Sequence, residues 1–417
     1  MEQTKYLVVG SSHAALEAVT AIRMHDPEAS LTLVTRDAHL PYSPTVLPYV
    51  VSGRSAPDNV FLRDDAFFDQ QRVSYRRGTA LAALHAGRNV AELADGSEIA
   101  YEKVLLATGA TPVVPPIPGI DQVPYHVLRT LEDAKGLRAA MAQAKQAVVL
   151  GAGLVGMHAA ENLVKAGANV TIVEMSAQLT SGYFDETAAD LIERAFSDHG
   201  AKILTNSRVV GLAPLAAGAR LTLENGTTLD ADLLLVATGV RPELDYLNGS
   251  GVATDRGILV DDTMRTSVDN VWAAGDCAQA RGFFTGTPIM NAILPDATVQ
   301  GRVAGMAMAG DPGIKPYDGG VPLNTYHFFG RHAISVGSSA VPDGAEERTR
   351  FDAETGRYLK AIFQDGRLTG IFGVNEFFDG GVMAQLIMRR TDLSEVKDRL
   401  FERPLAVGRE LMSQMWR

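Results

Sequence analysis

Two short stretches of the 417-residue chain hold the residue types and spacings that allow chemistry. Gly151-Ala152-Gly153-Leu154-Val155-Gly156 is a complete GxGxxG, preceded by the apolar run Ala147 to Leu150 and followed by a helical pattern. In that setting the first glycine makes a tight turn, the second lets the backbone approach a pyrophosphate, and the third lets helix and strand pack closely. The phosphate charge then rests on free amides at the helix start. Glu174 ends the next apolar run, VTIVE, where a carboxylate accepts both ribose hydroxyls and repels a 2′-phosphate, so NADH is expected over NADPH. The second stretch, GSSHAALEA, follows KYLVV and keeps only the first glycine: Gly10, Ser11, Ser12, His13, Ala14, Ala15. Ser12 and Ala15 take the second and third glycine places; both are small enough for a close approach, provided that Ser12 adopts a φ open to a non-glycine residue. A dinucleotide fold needs a ribose partner about twenty residues on. The candidates end LTLVTRD: Arg36, standing where an acid is expected, and Asp37, the nearest carboxylate.

The elements that must position these residues occur twice. YLVVGSSHAALEAVTAIRMHDPEASLTLVTRD and AVVLGAGLVGMHAAENLVKAGANVTIVEM each read strand, glycine turn, amphipathic helix, strand, which is a βαβ unit. Each is followed by short strands with hairpin-like turns and an apolar strand running into Ala-Thr-Gly, so a whole domain plan is duplicated. Next come RTSVDNVWAAGDCAQ, a buried strand ending in Gly-Asp, and LPDATVQGRVAGMAMAG, a helix with a polar start. Beyond about residue 318 the pattern changes to alternating strands and two C-terminal helices. The expected class is α/β, with two Rossmann-like domains (1–118 plus 246–318, and 119–245) and a smaller C-terminal α+β domain (319–417).

Composition narrows the function classes. With 46% hydrophobic residues the chain can bury the cores of two or three domains. Its 49 acidic and 38 basic residues give a formal charge of −11 without any long run of like charge, which disfavours nucleic acid and anionic membranes as partners. The start MEQTK leads straight into a short apolar run and suggests neither a signal peptide nor a membrane span; a cytoplasmic location is expected. One cysteine, Cys277, permits no internal disulfide and no cysteine-rich metal or iron–sulfur site, and no metal is expected. Redox chemistry must come from a bound cofactor.

The two nucleotide folds, the two Ala-Thr-Gly segments, WAAGD and the helix beginning near Asp296 together resemble the FAD-dependent pyridine nucleotide reductases, over almost the whole chain. The resemblance implies FAD on the first fold and NAD(H) on the second. It assigns Asp276 of AAGDC as acceptor for a ribityl or pyrophosphate-proximal hydroxyl of FAD, and places Leu81, Thr108 and Gly109 along the FAD path. Gly239 and Val240 take the corresponding place near NADH. The helix starting around Ala297 is expected to aim its amide end at the flavin pyrimidine edge, where the reduced ring carries negative charge. Arg129 of LRTLEDA matches a family arginine that helps to hold FAD, with a surface salt bridge as the alternative.

The branch of that superfamily is read from HLPYSPTVLPYVVSG. Thr45 stands at the redox cysteine of the coenzyme A disulfide reductase and NADH oxidase branch, and a hydroxyl forms neither a disulfide nor a sulfenic acid. HLPY resembles rubredoxin- and ferredoxin-type reductases and the flavin part of nitrite reductases, whose nearby arginine and lysine are here replaced by Pro44 and Tyr49. Tyr49 or Pro48 is expected to pack near the flavin ring. His158, where the resemblance expects glutamate, either tunes hydride transfer or is satisfied by its helix neighbours; Tyr49 and His158 are the candidate catalytic residues. Cys277 reads as a small buried residue.

Without a disulfide, electrons leave singly to an iron–sulfur protein, go to a small oxidant, or arrive by the reverse route. At closer range YLVVGSSHAALEA with RDAHLPYSPTVLPYVVSG resembles the FAD subunits of multisubunit 2-oxoacid oxidoreductases of the phenylglyoxylate type. That implies iron–sulfur partner subunits, NAD⁺ reduction and a homo- or hetero-oligomer. Two rivals stay open: a free-standing NADH oxidase or ferredoxin- or rubredoxin-type reductase, and a flavin-bound assembly protein with vestigial catalysis. The apolar face of EFFDGGVMAQLIMRR is expected either to pack on its own sheet or to dock a partner.

Overall fold

The computed structural model describes residues 1–415. The chain forms two compact units: Met1–Val46, Ala56–Thr111 and Val240–Gly320 make the first, and Leu47–Ser55, Pro112–Gly239 and the chain from Val321 onward make the second.

The first unit is built on a parallel sheet. Strand Glu2–Val9 pairs in parallel with Leu31–Thr35 on one side and Glu98–Leu106 on the other; Val73–Arg77 and Val271–Ala273 extend it at either end. Leu31–Thr35 is buried at every position, as a strand covered on both faces requires. The hairpin-like segment adds Leu81–His85 and Val90–Leu93, antiparallel, to the start of Glu98–Leu106. Helix His13–His25 covers one face and packs against helix Leu294–Ala309. The two helix backbones nearly touch: a Cβ on Gly301 would lie 2.1 Å from the Ala14 carbonyl oxygen, and one on Gly305 would lie 2.6 Å from that of Ala18. The latter helix starts at Leu294 with Pro295 in its first turn, where LPDATVQGRVAGMAMAG begins and three residues before Ala297, at which its amide end was expected.

The second unit repeats the plan. Lys202–Leu204, Asn169–Val173, Gln146–Leu150 and Leu233–Val236 form a parallel sheet in that order, with helix Leu154–Lys165 after the third of these strands in space. A separate antiparallel sheet, Val209–Pro214, Ala219–Leu223 and Thr228–Ala231, supplies the hairpin turns read from the sequence. Among the described residues the C-terminal segment forms a five-stranded antiparallel sheet and three helices, Gly380–Met388, Lys397–Glu402 and Pro404–Met415, where two helices were expected. The extra helix arises because Arg403-Pro404 divides the last helical stretch, proline being suited to a first helical turn but not to an interior. Helix Gly380–Met388 lays Met383, Leu386 and Ile387 on its own sheet, so this apolar face is satisfied within the chain. Among the described residues no helix is long and apolar enough to cross a membrane.

Candidate functional site

The first glycine turn keeps glycine where the backbone demands it. Gly10 has φ +114°, and a Cβ there would stand 2.1 Å from the carbonyl oxygen of Ala107, the first residue of the Ala-Thr-Gly segment. Ser12 is the N-cap residue with φ −89° and ψ −161°, ordinary extended backbone, so no glycine is needed. Its hydroxyl donates weakly to the Tyr42 carbonyl at 3.4 Å rather than capping the helix. The first amides of helix His13–His25 therefore keep neither an intrahelical acceptor nor a side-chain cap, and they are available to an anion. His13 Nε2 is buried without a hydrogen-bond partner in this first turn, and burial pulls its pKa down, so the ring is neutral near pH 7. An orphaned nitrogen beside free helix amides fits the phosphate and hydroxyl groups of a dinucleotide.

The surroundings of this turn are assembled from distant sequence. Asp37 accepts from the His39 amide (2.9 Å) and from the Tyr42 hydroxyl (2.5 Å), which shapes the turn after the second strand; Arg36 instead pairs with Glu243 at 3.1 Å. Gly275, with φ +79°, donates its amide to Gln300 Oε1 at 2.9 Å, and a Cβ on it would stand 3.2 Å from Ala14 Cβ and 3.7 Å from Ala297 Cβ. Asp276 is thereby set beside the first turns of both helices. Thr108 shares a 2.9 Å hydroxyl contact with Tyr246, and Gly109 has φ +70°. Leu81 packs on the core beneath. Ala297 is corrected in role: its amide is already spent on the Ile293 carbonyl at 3.1 Å, because it is the fourth residue of its helix, so its methyl packing is what it brings.

The second turn divides its three glycines by task. A Cβ on Gly151 (φ +98°) would meet the Ala237 carbonyl oxygen at 2.5 Å, and one on Gly156 would meet that of Gly151 at 2.2 Å; Gly153 faces open space. Two glycines thus serve packing and the middle one leaves room for a ligand. Glu174 accepts from the Ala152 amide (2.8 Å) with one oxygen and from the Ser176 amide (2.7 Å) with the other, which fixes its carboxylate over the turn while leaving lone pairs for a ribose. Leu154 opens the helix and Val155 is exposed on it. Gly239 has φ +110° and accepts from the Val113 amide; Val240 is exposed. The Arg129 amide donates to the Asp133 carboxylate ahead of helix Leu131–Met141, which Thr130 and Asp133 cap reciprocally.

His158 lies edge-on to the Tyr326 ring at 4.7 Å, and burial lowers its pKa, so it is a neutral imidazole at pH 7. Tyr49 is half exposed, and the carbonyl of its neighbour Pro48 accepts from Asn162 at 3.2 Å. Pro44 opens a single 3₁₀ turn, in which Ser43 and Thr45 share a 2.7 Å hydroxyl contact. The Cys277 thiol is fully buried, donates toward the Leu106 and Ala274 carbonyls, and has its pKa raised by burial, so it carries no thiolate. Among the described residues no group of acidic, histidine or cysteine side chains is placed to hold a metal ion. Sequence reasoning missed Gln300, Tyr246, Gly301 and Gly305; only the glycine pair left a signal, in the four-residue spacing of small residues in QGRVAGMAMAG.

Two glycine turns of this geometry on two parallel sheets define a two-dinucleotide oxidoreductase. The chain belongs to the pyridine nucleotide-disulphide oxidoreductase family, whose model matches residues 4–301. Members use FAD and NAD(H), and this one, with a single cysteine, has no disulfide of its own. It is 76% identical over 418 aligned residues to the epsilon subunit of NADH-dependent phenylglyoxylate dehydrogenase of Aromatoleum evansii, covering 100% of this chain and 99% of that one. It is 29% identical to rubredoxin-NAD(+) reductase of Pseudomonas putida, over 73% of this chain and 80% of the relative. In fold it matches putidaredoxin reductase, as crystallised in covalent complex with putidaredoxin, with a TM-score of 0.87 at 23% identity over 98% and 100% of the two chains.

Proposed function

We infer that this chain is an FAD-dependent NAD(H) oxidoreductase, serving as the electron-transfer subunit of a 2-oxoacid dehydrogenase complex that acts on phenylglyoxylate and reduces NAD⁺. The observation that carries this reading is the 76% identity to the epsilon subunit over the entire chain, joined to the absence of a second thiol. Bound FAD would supply the junction between a two-electron hydride carrier and one-electron carriers. The residues that would hold it are the amides after Gly10, His13 Nε2 and Asp276; Glu174 and the room above Gly153 would hold NAD(H), with Glu174 selecting the unphosphorylated ribose. His158, neutral and buried, keeps a charge away from the second fingerprint helix. Its partners in this reading are iron–sulfur subunits, and the oxoacid is bound elsewhere in the complex.

The test is anaerobic. NADH added to the purified chain should bleach the flavin band, NADPH should not, and an iron–sulfur acceptor should restore it. Rapid oxygen consumption with NADH and no partner would instead identify a free-standing oxidase, and a flavin left oxidised by NADH would identify an assembly protein.

A further inference from the structure

Asp296 lies in the first turn of helix Leu294–Ala309 and is only 4% exposed. One of its oxygens accepts from both the Asn291 side-chain Nδ2 and the Tyr317 hydroxyl, the latter at 2.9 Å. The other faces Gly320 so closely that any Cβ there would fall within 1.7 Å of it, so this position must be glycine for the carboxyl to fit. Among the described residues no cation pairs with it. Burial pushes the carboxyl up to about 6 even though both donors favour its ionised form. Tyr317 is the titratable group that faces it, and burial together with the carboxylate keeps that phenol protonated.

The place of this carboxyl is not incidental. The next residue, Ala297, packs beside Gly275; Gln300, one turn on, holds the Gly275 amide; and Gly275 rests on Ala14 in the first turn of the fingerprint helix. Asp296 is thus anchored one helical turn from the cradle of free amides and Asp276. Negative charge on a cofactor held there acts on a carboxyl that is only 4% exposed, where screening is weaker than in water.

We propose that Asp296 is the proton store of the electron-transfer reaction: its carboxylate takes a proton from solvent when the cofactor held at the first cradle receives electrons and returns it when they leave. The proposal rests on reading that cradle as the flavin site. In the direction of NAD⁺ reduction the one-electron partner supplies the two electrons; water supplies one proton that leaves with them as hydride and a second that forms an O–H bond at Asp296. When hydride has passed to NAD⁺, that bond breaks and the proton returns to water.

The experiment is the flavin midpoint potential of the full chain as a function of pH, for the wild type, Asp296→Asn and Tyr317→Phe. One further proton per two electrons makes the equilibrium constant tenfold more sensitive per pH unit, or about 30 mV. The wild type should be steeper than Asp296→Asn by that amount above about pH 6, and parallel to it below, where the carboxyl is protonated in both redox states. Tyr317→Phe removes a donor to the ionised carboxylate and should move the onset of the steep region to higher pH. Parallel lines for wild type and Asp296→Asn throughout roughly pH 5 to 8 would overturn the proposal. An unmoved onset in Tyr317→Phe would do so as well, and it decides the matter if Asp296→Asn loses its flavin. A wild-type chain whose flavin NADH does not reduce would instead sink the functional reading beneath it.

Discussion

Completing the degenerate fingerprint should weaken the protein rather than improve it. The double variant Ser12→Gly/Ala15→Gly restores GxGxxG in the first nucleotide fold, yet neither position has a conformation or a contact that calls for glycine. Ser12 sits in extended backbone at the N-cap, where exchange for glycine costs only a few tenths of a kcal/mol. Ala15 is fully buried inside the helix, so its exchange loses about 1 kcal/mol of helix propensity and about 0.8 kcal/mol for the buried methyl. The sum is ~2 kcal/mol of lost stability with no new ligand contact. Gly10→Ala is the contrasting change: φ +114° costs ~1–3 kcal/mol as strain, and the 2.1 Å approach to the Ala107 oxygen adds ~1–3 kcal/mol by forcing two strands apart. The assay is urea unfolding of each variant together with its FAD dissociation constant from flavin fluorescence. The double variant should unfold at lower urea with FAD affinity unimproved, and Gly10→Ala should lose both. If completing the fingerprint tightened FAD binding tenfold or left stability unchanged, the account of Ser12 and Ala15 as sufficient in place of glycine would be wrong.

Glu174→Ala removes an acceptor of charge-assisted hydrogen bonds worth ~1.5–3 kcal/mol each, so the KM for NADH in flavin reduction should rise roughly tenfold to hundredfold while that for NADPH falls or holds; an unchanged ratio of the two would refute its role. Cys277→Ala should leave NADH-driven flavin reduction intact, and the native thiol should resist iodoacetamide until the chain unfolds, as mass spectrometry would show. Because the raised pKa of Asp296 means the folded state holds a proton the unfolded chain has released, stability should fall as pH rises from about 4 through 6. The loss is ~3 kcal/mol for the change from 3.8 to about 6, and Asp296→Asn should abolish this decline in urea midpoints. His158 behaves oppositely: its folded pKa is depressed, so its stability contribution is complete above the unfolded value of about 6.5 and declines as pH falls below it. His158→Gln should unfold at a urea midpoint less sensitive to acid than that of the wild type.

The second site was the more legible of the two because everything that forms it is local. Gly151, Gly153, Gly156 and Glu174 lie within one βαβ unit, and the periodic apolar runs around them fix which way each faces. The first site was legible only in outline. Its turn tolerates Ser12 and Ala15 because the tight approach between elements is taken up elsewhere, by Gly301 and Gly305 against Ala14 and Ala18, almost three hundred residues away in sequence. The helix was read from LPDATVQGRVAGMAMAG, which begins at Leu294 as the structure has it, but its amide end was placed at Ala297, three residues inside, and that misassigned the Ala297 amide. Asp296 gave no signal, since a first-turn aspartate on a helix is ordinarily a solvated residue facing its own helix amides.

The sequence by itself determined the duplicated strand–turn–helix plan, the two glycine turns, the carboxylate of Glu174 at the end of the second strand and the absence of a second thiol. Those follow from periodicity, local spacing and a count of cysteines. Only the tertiary structure decided which polar groups lose water. His13 Nε2 is orphaned, Asp296 is buried on Tyr317 and against Gly320, and Cys277 is sealed against the Leu106 carbonyl, because chain segments far apart in sequence close over them. Desolvation depends on what packs on a group from every side, and that is set by the fold as a whole rather than by neighbours along the chain.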